Sequence, residues 1–209
     1  MSEPGRHDFE LVSSELVFEG AIIALRKDQV RMPGGNVAQR EVVEHYAAVA
    51  VAAVDAEGRV ALIHQYRHPI GRRLWELPAG LMDLSGEPAQ PAAARELLEE
   101  TGFTAATWSV LADVALSPGF TDEAVRVFLA TDIAAGERPP AHDEELDVVL
   151  EWVPLDDAVA RVFSGDIQNA TSATGILAAK LALGGAGTPR PGDAPWPEEP
   201  TAFAQRKAR

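Results

Sequence analysis

The 209-residue chain contains no cysteine, which excludes structural disulfides and thiolate metal sites outright and fits a reducing compartment. It has no run approaching the roughly 18 apolar residues that a membrane-spanning helix requires. Met1 is followed by a polar, charged stretch, Ser2 to Asp8, with no apolar segment of the kind a secretory leader carries. Positive charge is also scarce: 18 Lys and Arg stand against 32 Asp and Glu, a formal net charge of −14. A surface that negative repels DNA and RNA backbones, so no nucleic-acid polymer and no membrane is expected as a partner. Small phosphorylated molecules stay open, because a divalent cation and a few arginines reverse the sign inside one cleft. The expected location is the cytoplasm. What the chain does have is a hydrophobic fraction of 46%, enough at this length to bury a core without staples.

Glu15 to Val30 reads as an extended segment, Met32-Pro33-Gly34-Gly35-Asn36 as a turn and Val37 to Glu44 as a second strand, together a β-hairpin region. Ala47 to Val54 is a small-apolar run ended by Asp55-Ala56-Glu57-Gly58, and Val60 to Tyr66 reads as its partner strand. Pro91 to Thr101 is predicted helical, with Pro91 at the first position, Gly102 just past the end, and Ala93, Ala94, Leu97 and Leu98 on one apolar face. Val110–Ala115, Glu123–Ala130 and Val148–Val153 are predicted strands, and Asp156–Ser164 and Thr171–Leu183 helices. From Gly184 the composition turns to Gly, Pro and Ala, which predicts a mobile tail in preference to one docked through Trp196. The division expected is an N-terminal strand region over 1–45, a catalytic domain over 46–183 and the tail over 184–209.

The helix at Pro91–Thr101 opposes its own formation. Glu96, Glu99 and Glu100 fall within about a 100° arc, because successive residues are about 100° apart. Like charges at these spacings cost roughly 0.2–0.5 kcal/mol per pair, and two of them sit in the last turn, where the helix dipole disfavours anions. Arg95 can offset only part of this through Glu99. Such a conflict marks either a solvated acidic face or a functional site. Clustered carboxylates are what a hard divalent cation needs, since Mg²⁺ binds one or two of them and completes its shell with water and phosphate oxygens.

Gly80 to Phe103 reads Gly-x6-Glu-x7-Arg-Glu-Leu-x-Glu-Glu-x-Gly-Phe, nine defined positions across 24 residues. This resembles the Nudix box, whose usual form has five residues between its first glycine and first glutamate. Gly86 stands where that glutamate is expected and Glu87 follows, while the spacing from Glu87 through Arg95 to Gly102 is intact. Arg67 and Leu74-Trp75-Glu76-Leu77-Pro78-Ala79-Gly80 resemble the approach to the box in ADP-sugar pyrophosphatases. Pro118, sixteen residues after Gly102 within Ser117-Pro118-Gly119-Phe120, is similar to the mark of the ADP-ribose pyrophosphatase subfamily. The likeness is to actinobacterial members and runs from roughly residue 10 to residue 183.

The resemblance implies an α/β/α sandwich around a mixed β-sheet, with N-terminal strands that take part in a homodimer. It implies hydrolysis of the diphosphate linkage of ADP-ribose or a related ADP-sugar to AMP and a sugar phosphate, with Mg²⁺ as cofactor or Mn²⁺ in its place. Glu96 and Glu100 are the implied principal metal ligands, with Glu99 sharing a further ion and the Ala79 carbonyl completing the sphere. Arg95 orients the glutamates, Glu87 pairs with Arg95 or holds the loop, and Gly80 and Gly102 shape the box. A catalytic base is implied on the loop Arg138 to Glu145, at Glu145 in preference to Glu144. Arg40 and Arg67 match positions that hold substrate in relatives, and Glu76 and Glu123 are candidates for the ribose or diphosphate region. For Arg67, Arg72 and Arg73 plain surface solubility is the other reading, and the histidines show no ligand spacing. Two further functions remain open: a Nudix hydrolase for another nucleoside diphosphate derivative, and a non-catalytic nucleotide-binding regulator on the same fold.

Overall fold

The N-terminal segment folds back on itself twice in the computed structural model, which describes residues 5–140 and 146–208. The strands β1 (Leu11–Glu19), β2 (Ile23–Arg31) and β3 (Val37–His45) form an antiparallel sheet in that order. The single extended segment expected over Glu15–Val30 is therefore two strands. Between them Gly20 N donates to Ile23 O at 2.8 Å, and a Cβ on Gly20 would stand 2.9 Å from the Phe18 ring. The second turn lies where expected, closed by Met32 N to Asn36 O at 2.8 Å, with Gly35 at φ 87° in the left-handed region that favours glycine. This sheet belongs to one of two compact units, made of the chain up to Tyr46, Ala115–Glu123 and the chain from Glu199 on.

The second unit, Ala47–Val114 with Ala124–Glu198, holds the main sheet. Its elements are β4 (Ala48–Ala53), β5 (Arg59–Arg67), β6 (Arg72–Glu76), β7 (Ala79–Leu81), α1 (Ala89–Thr101), β8 (Phe103–Ala115), β9 (Ala124–Ala135), β10 (Val149–Pro154), α2 (Leu155–Phe163), α3 (Ala170–Leu183) and β11 (Arg190–Pro191). The five-stranded sheet runs β11-β8-β9-β4-β7 and is mixed, with β4 parallel to β9 and antiparallel to β7. A smaller antiparallel sheet runs β10-β5-β6. Every residue of β4 is buried, which is why its sequence is an unbroken run of Ala and Val rather than an alternation. Its odd residues Val49, Val51 and Ala53 pack with Ala92, Ala93 and Leu97 of α1 and with Phe128. On the opposite face Val127, paired with Ala50, meets Gly175 of α3, where a Cβ would come within 2.9 Å of Val127 Cγ1. Helices thus cover both faces of the sheet, the expected sandwich.

Two sequence expectations are corrected here. The Val60–Tyr66 strand is not the ladder partner of the Ala47–Val54 strand. They share only the bridge Val54–Val60, because both edges of β4 are taken by β9 and β7. The helix begins at Ala89 after an N-cap at Pro88, so Pro91 lies inside the first turn rather than at its first position. A missing N–H is harmless there, since first-turn donors have no intrahelical acceptor. Gly102 ends the helix at φ 76°, donating to Leu98 O at 2.8 Å.

The tail expected to be mobile is docked instead. In the second unit β11 pairs with β8, and the buried Arg126 of β9 donates to Ala194 O at 2.6 Å and Pro195 O at 3.0 Å. The Trp196 ring lies 4.8 Å from that guanidinium. In the first unit α4 (Ala202–Lys207) buries Phe203 completely, edge-on to Tyr46 at 4.7 Å, while Arg206 Nε donates to Glu44 at 2.8 Å. The composition argument fails because this segment brings no core of its own and fills sockets made by residues far away in sequence. Phe203→Ala is therefore expected to lower unfolding stability by about 3–5 kcal/mol, read from denaturant titration. A mobile tail would leave the midpoint unchanged. Among the described residues, no helix is long and apolar enough to cross a membrane.

Candidate active site

The acidic face of α1 is not a solvated one. Leu97 lies on the core-facing stripe, and Glu100, one turn later, is carried into the interior with 9% of its surface exposed. Its Oε2 accepts from Ala79 N at 2.8 Å. That contact follows from the strand register. Pro78 O bonds to Val51 of β4 and Met82 N to Ala47 just before it, so Ala79, one residue off, turns its N–H and its carbonyl to the other edge of β7, toward α1. Gly80 lies under Glu96: a Cβ at residue 80 would collide with the Glu96 carboxylate.

Arg95 organises the remaining acids. Its Nη1 donates to Glu96 Oε1 at 2.6 Å and to Glu99 Oε2 at 3.2 Å, and its Nη2 to Glu87 Oε2 at 2.9 Å and Leu81 O at 3.3 Å. Glu87 thus pairs with Arg95 despite the extra residue before it. That residue is absorbed in the turn at Gly86, which adopts φ 77°, beside the bond from Glu87 N to Leu84 O at 3.1 Å. The bonds from Glu87, backed by Glu96 and opposed by burial, hold the Arg95 guanidinium above its usual range, so it is permanently charged.

Burial raises Glu96 above the usual carboxylate range, against the pull of Arg95. Glu100 is pushed up to about 8, chiefly by burial, with Glu96 and Glu76 adding repulsion and the Ala79 N–H and Arg67 opposing. A buried carboxylate with one short hydrogen bond and a raised pKa is a group that lacks positive charge. Among the described residues no three His, Asp or Glu side chains are gathered into a cation cage. Each acid is held by Arg95 or by the Ala79 N–H instead. The donor set is nevertheless all hard oxygen, close-packed over a glycine and undercompensated in charge, and it suits a divalent cation. Gly80→Ala is expected to displace Glu96 and to raise the cation concentration needed for half-maximal rate by about 10–100-fold, read from metal titrations of turnover.

Arg67 and Glu76 are also in this neighbourhood, but as partners of each other. Arg67 Nη2 donates to Glu76 Oε2 at 2.6 Å. Glu76 is 2% exposed and also accepts from Gln65 Nε2 at 2.8 Å and Asn169 Nδ2 at 3.0 Å. These bonds fix Glu76 as a buried anchor for Arg67, Gln65 and Asn169. Arg40, Pro118 and Glu123 belong to the first unit, Arg40 on β3 donating to Gln39 O at 2.8 Å. The Pro118 loop is a tight turn in which Ser117 O accepts from Phe120 N and Thr121 N, both at 3.1 Å. Glu144 and Glu145 lie outside the described residues. The loop that leads to them starts against the site, with Arg138 Nε donating to Glu99 O at 2.7 Å.

Sequence reasoning missed Gln65, Asn169 and Ser172. Asn169 caps α3, its Oδ1 accepting from Ser172 N at 2.8 Å, and an asparagine immediately before a helical pattern was the available signal. Gln65 carries no comparable mark.

Residues 43–171 match the NUDIX domain model, and residues 9–43 match the nucleoside diphosphate sugar hydrolase N-terminal domain. The ADP-ribose pyrophosphatase of Mycobacterium tuberculosis is 54% identical over 202 residues, covering 97% of this chain and 98% of that protein. The ADP-ribose pyrophosphatase of Bacillus subtilis is 39% identical, covering 79% and 89%. A crystal structure of an ADP compounds hydrolase aligns at TM-score 0.77 over 88% of this chain and 99% of its own, at 19% identity, which establishes the shared fold. Nudix hydrolases generally need divalent metal ions. With the box folded around Arg95 and the family match spanning more than half the sequence, the chain belongs to the Nudix family.

Proposed function

We propose that the chain hydrolyses the diphosphate linkage of ADP-ribose or a related ADP-sugar, releasing AMP and a sugar phosphate, with Mg²⁺ as the working cation. The observation that carries this reading is Glu100, a buried carboxylate raised to about 8 beside Glu96 and bonded to the Ala79 N–H. The extended similarity to two ADP-ribose pyrophosphatases supports the substrate.

In this reading Glu96, Glu100 and the Ala79 carbonyl hold the cation, with Glu99 serving a further ion. When bound, the cation neutralises the diphosphate and lowers the pKa of a coordinated water. Arg95 fixes Glu96 and Glu99 by charge-assisted bonds. Glu145 takes the proton from the attacking water. Arg67, bonded to Glu76, contacts substrate through its planar guanidinium in this reading, and the family resemblance adds Arg40, Glu76 and Glu123 as substrate residues. Gly102 and Pro118 shape the box and the subfamily loop. The catalytic domain is taken as 46–183 and the location as cytoplasmic.

A homodimer belongs to the same proposal. β1 is exposed along its whole length, leaving Leu11, Val12, Leu16, Val17 and Phe18 on both of its faces in water. Apolar strands of this kind are ordinarily covered. Light scattering on the full chain is expected to give twice the 22.3 kDa subunit mass. A monomer at micromolar concentration would remove this part of the proposal.

The test of the activity is AMP release from a panel of nucleoside diphosphate compounds, with and without Mg²⁺ or Mn²⁺. Preference for ADP-ribose with an absolute cation requirement is expected. Equal turnover of every compound would overturn the substrate, and no turnover of any would favour a nucleotide-binding regulator.

A further inference from the structure

The edge of β7 and the two residues before it are closed by side chains from two different helices. Along this extended segment the backbone alternates sides. Pro78 O faces β4 and accepts from Val51 N at 2.8 Å. Leu77 and Ala79 turn their N–H groups the other way. Ala79 N donates to Glu100 Oε2 of α1 at 2.8 Å, and Leu77 N donates to Ser172 Oγ of α3 at 2.9 Å. Ser172 is 2% exposed, so this acceptor has no water to replace it.

Asn169 ties the preceding residue to the same helix. Its Oδ1 caps α3 through Ser172 N at 2.8 Å, and its Nδ2 donates to Glu76 Oε1 at 3.0 Å. One turn further along α3, Gly175 allows the closest approach: a Cβ there would stand 2.5 Å from Leu77 Cδ1. Positions 169, 172 and 175 recur every third residue and so share one face of α3. All three act on Glu76 and Leu77. The segment from Glu76 to Gly80 is therefore gripped at each residue, at its start by α3 and at its end by α1.

We propose that Asn169 and Ser172, outside the Nudix box, are positioning residues for the cation site: they fix the Glu76–Gly80 segment in the register that presents Ala79 to Glu100. The inference rests on the cation-dependent reading above. It assigns to α3 a part that capping alone would not give it. If Leu77 is released from Ser172, the strand edge can rotate, and Ala79 turns with it because the two residues point to the same side.

The experiment compares Asn169→Ser, Asn169→Ala and Ser172→Ala in the full chain. Serine keeps the helix cap and loses only the donor to Glu76. Mn²⁺ binding without substrate is followed by electron paramagnetic resonance, alongside thermal unfolding without metal. N169S and S172A are each expected to weaken Mn²⁺ binding by about 10-fold, the scale of outer-shell effects on metal affinity. N169S should melt with the wild type, while N169A should melt lower. Unchanged Mn²⁺ affinity in N169S and S172A, whatever their melting, would overturn the positioning role and leave α3 a structural helix. Should S172A fail to fold, N169S decides alone. A wild type that binds no Mn²⁺ would sink the parent reading, and this inference with it.

Discussion

Glu100→Gln is expected to lower cation-dependent turnover by about 10³-fold or more and, in the absence of metal, to make the protein more stable at pH 8 than the wild type. The first half follows from the several kcal/mol that a bound cation supplies to a diphosphate transition state, at about 1.4 kcal/mol per decade of rate. The second half follows from linkage. Glu100 has an ordinary value of 4.5 and is raised to about 8 in the fold, chiefly by burial. Between those limits the unfolded chain has released a proton that the folded chain still holds, so the contribution of this group to stability is full below pH 4.5 and is lost as pH rises through 8. Glutamine keeps an acceptor for Ala79 N–H and carries no charge to bury. Wild type and variant should melt together near pH 4.5 and separate progressively toward pH 8. Adding Mg²⁺ at pH 8 should then raise the wild-type melting temperature and leave the variant where it was. A wild type whose melting does not respond to the cation at pH 8 would remove Glu100 from the ligand set.

Much of this arrangement was legible in the sequence because it is local. The acids of α1 are fixed by helical spacing, Gly102 by the left-handed turn that ends the helix, and β4 by a run of small apolar residues whose short bounding turns favour a strand over a buried helix. Helices α2 and α3 begin within one residue of their expected starts. The failures share a different physics. Nothing near Glu100 says that it faces inward; its burial depends on how α1 rolls against β4 and β7. Nothing near Glu76 announces the partners that hold it, Arg67, Gln65 and Asn169, the last 93 residues away. Phe203 sits in a segment of tail composition, and its burial depends on Tyr46 and β3, far away in sequence. The partner of β5 was misjudged for the same reason: a strand run gives its own period but not its neighbour.

Glu145→Gln is expected to lower kcat by about 10²–10⁴-fold, the range for loss of a general base, with little change in KM, in cation affinity or in melting temperature. Glu144→Gln should leave all four near wild type. Support for a base on this loop comes from where its described flanks are tied. On one side Gly136 N donates to Gly102 O at 2.8 Å and Arg138 Nε to Glu99 O at 2.7 Å, both at the end of the helix that carries the acids. On the other side Asp147 pairs with Arg73 of β6, the strand that ends in Glu76. Six residues lie between Pro140 and Asp147, and the described flanks on either side are tied to elements of the cation site. A base that takes a proton from water without being a metal ligand acts on the chemical step alone, which keeps the expected effect in kcat and out of binding. The pH profile separates the two acids further: a true base contributes the acidic limb of kcat, and that limb should vanish in E145Q alone. If E144Q is the damaging change, the assignment shifts by one residue; if neither variant slows turnover, the proton leaves by another group.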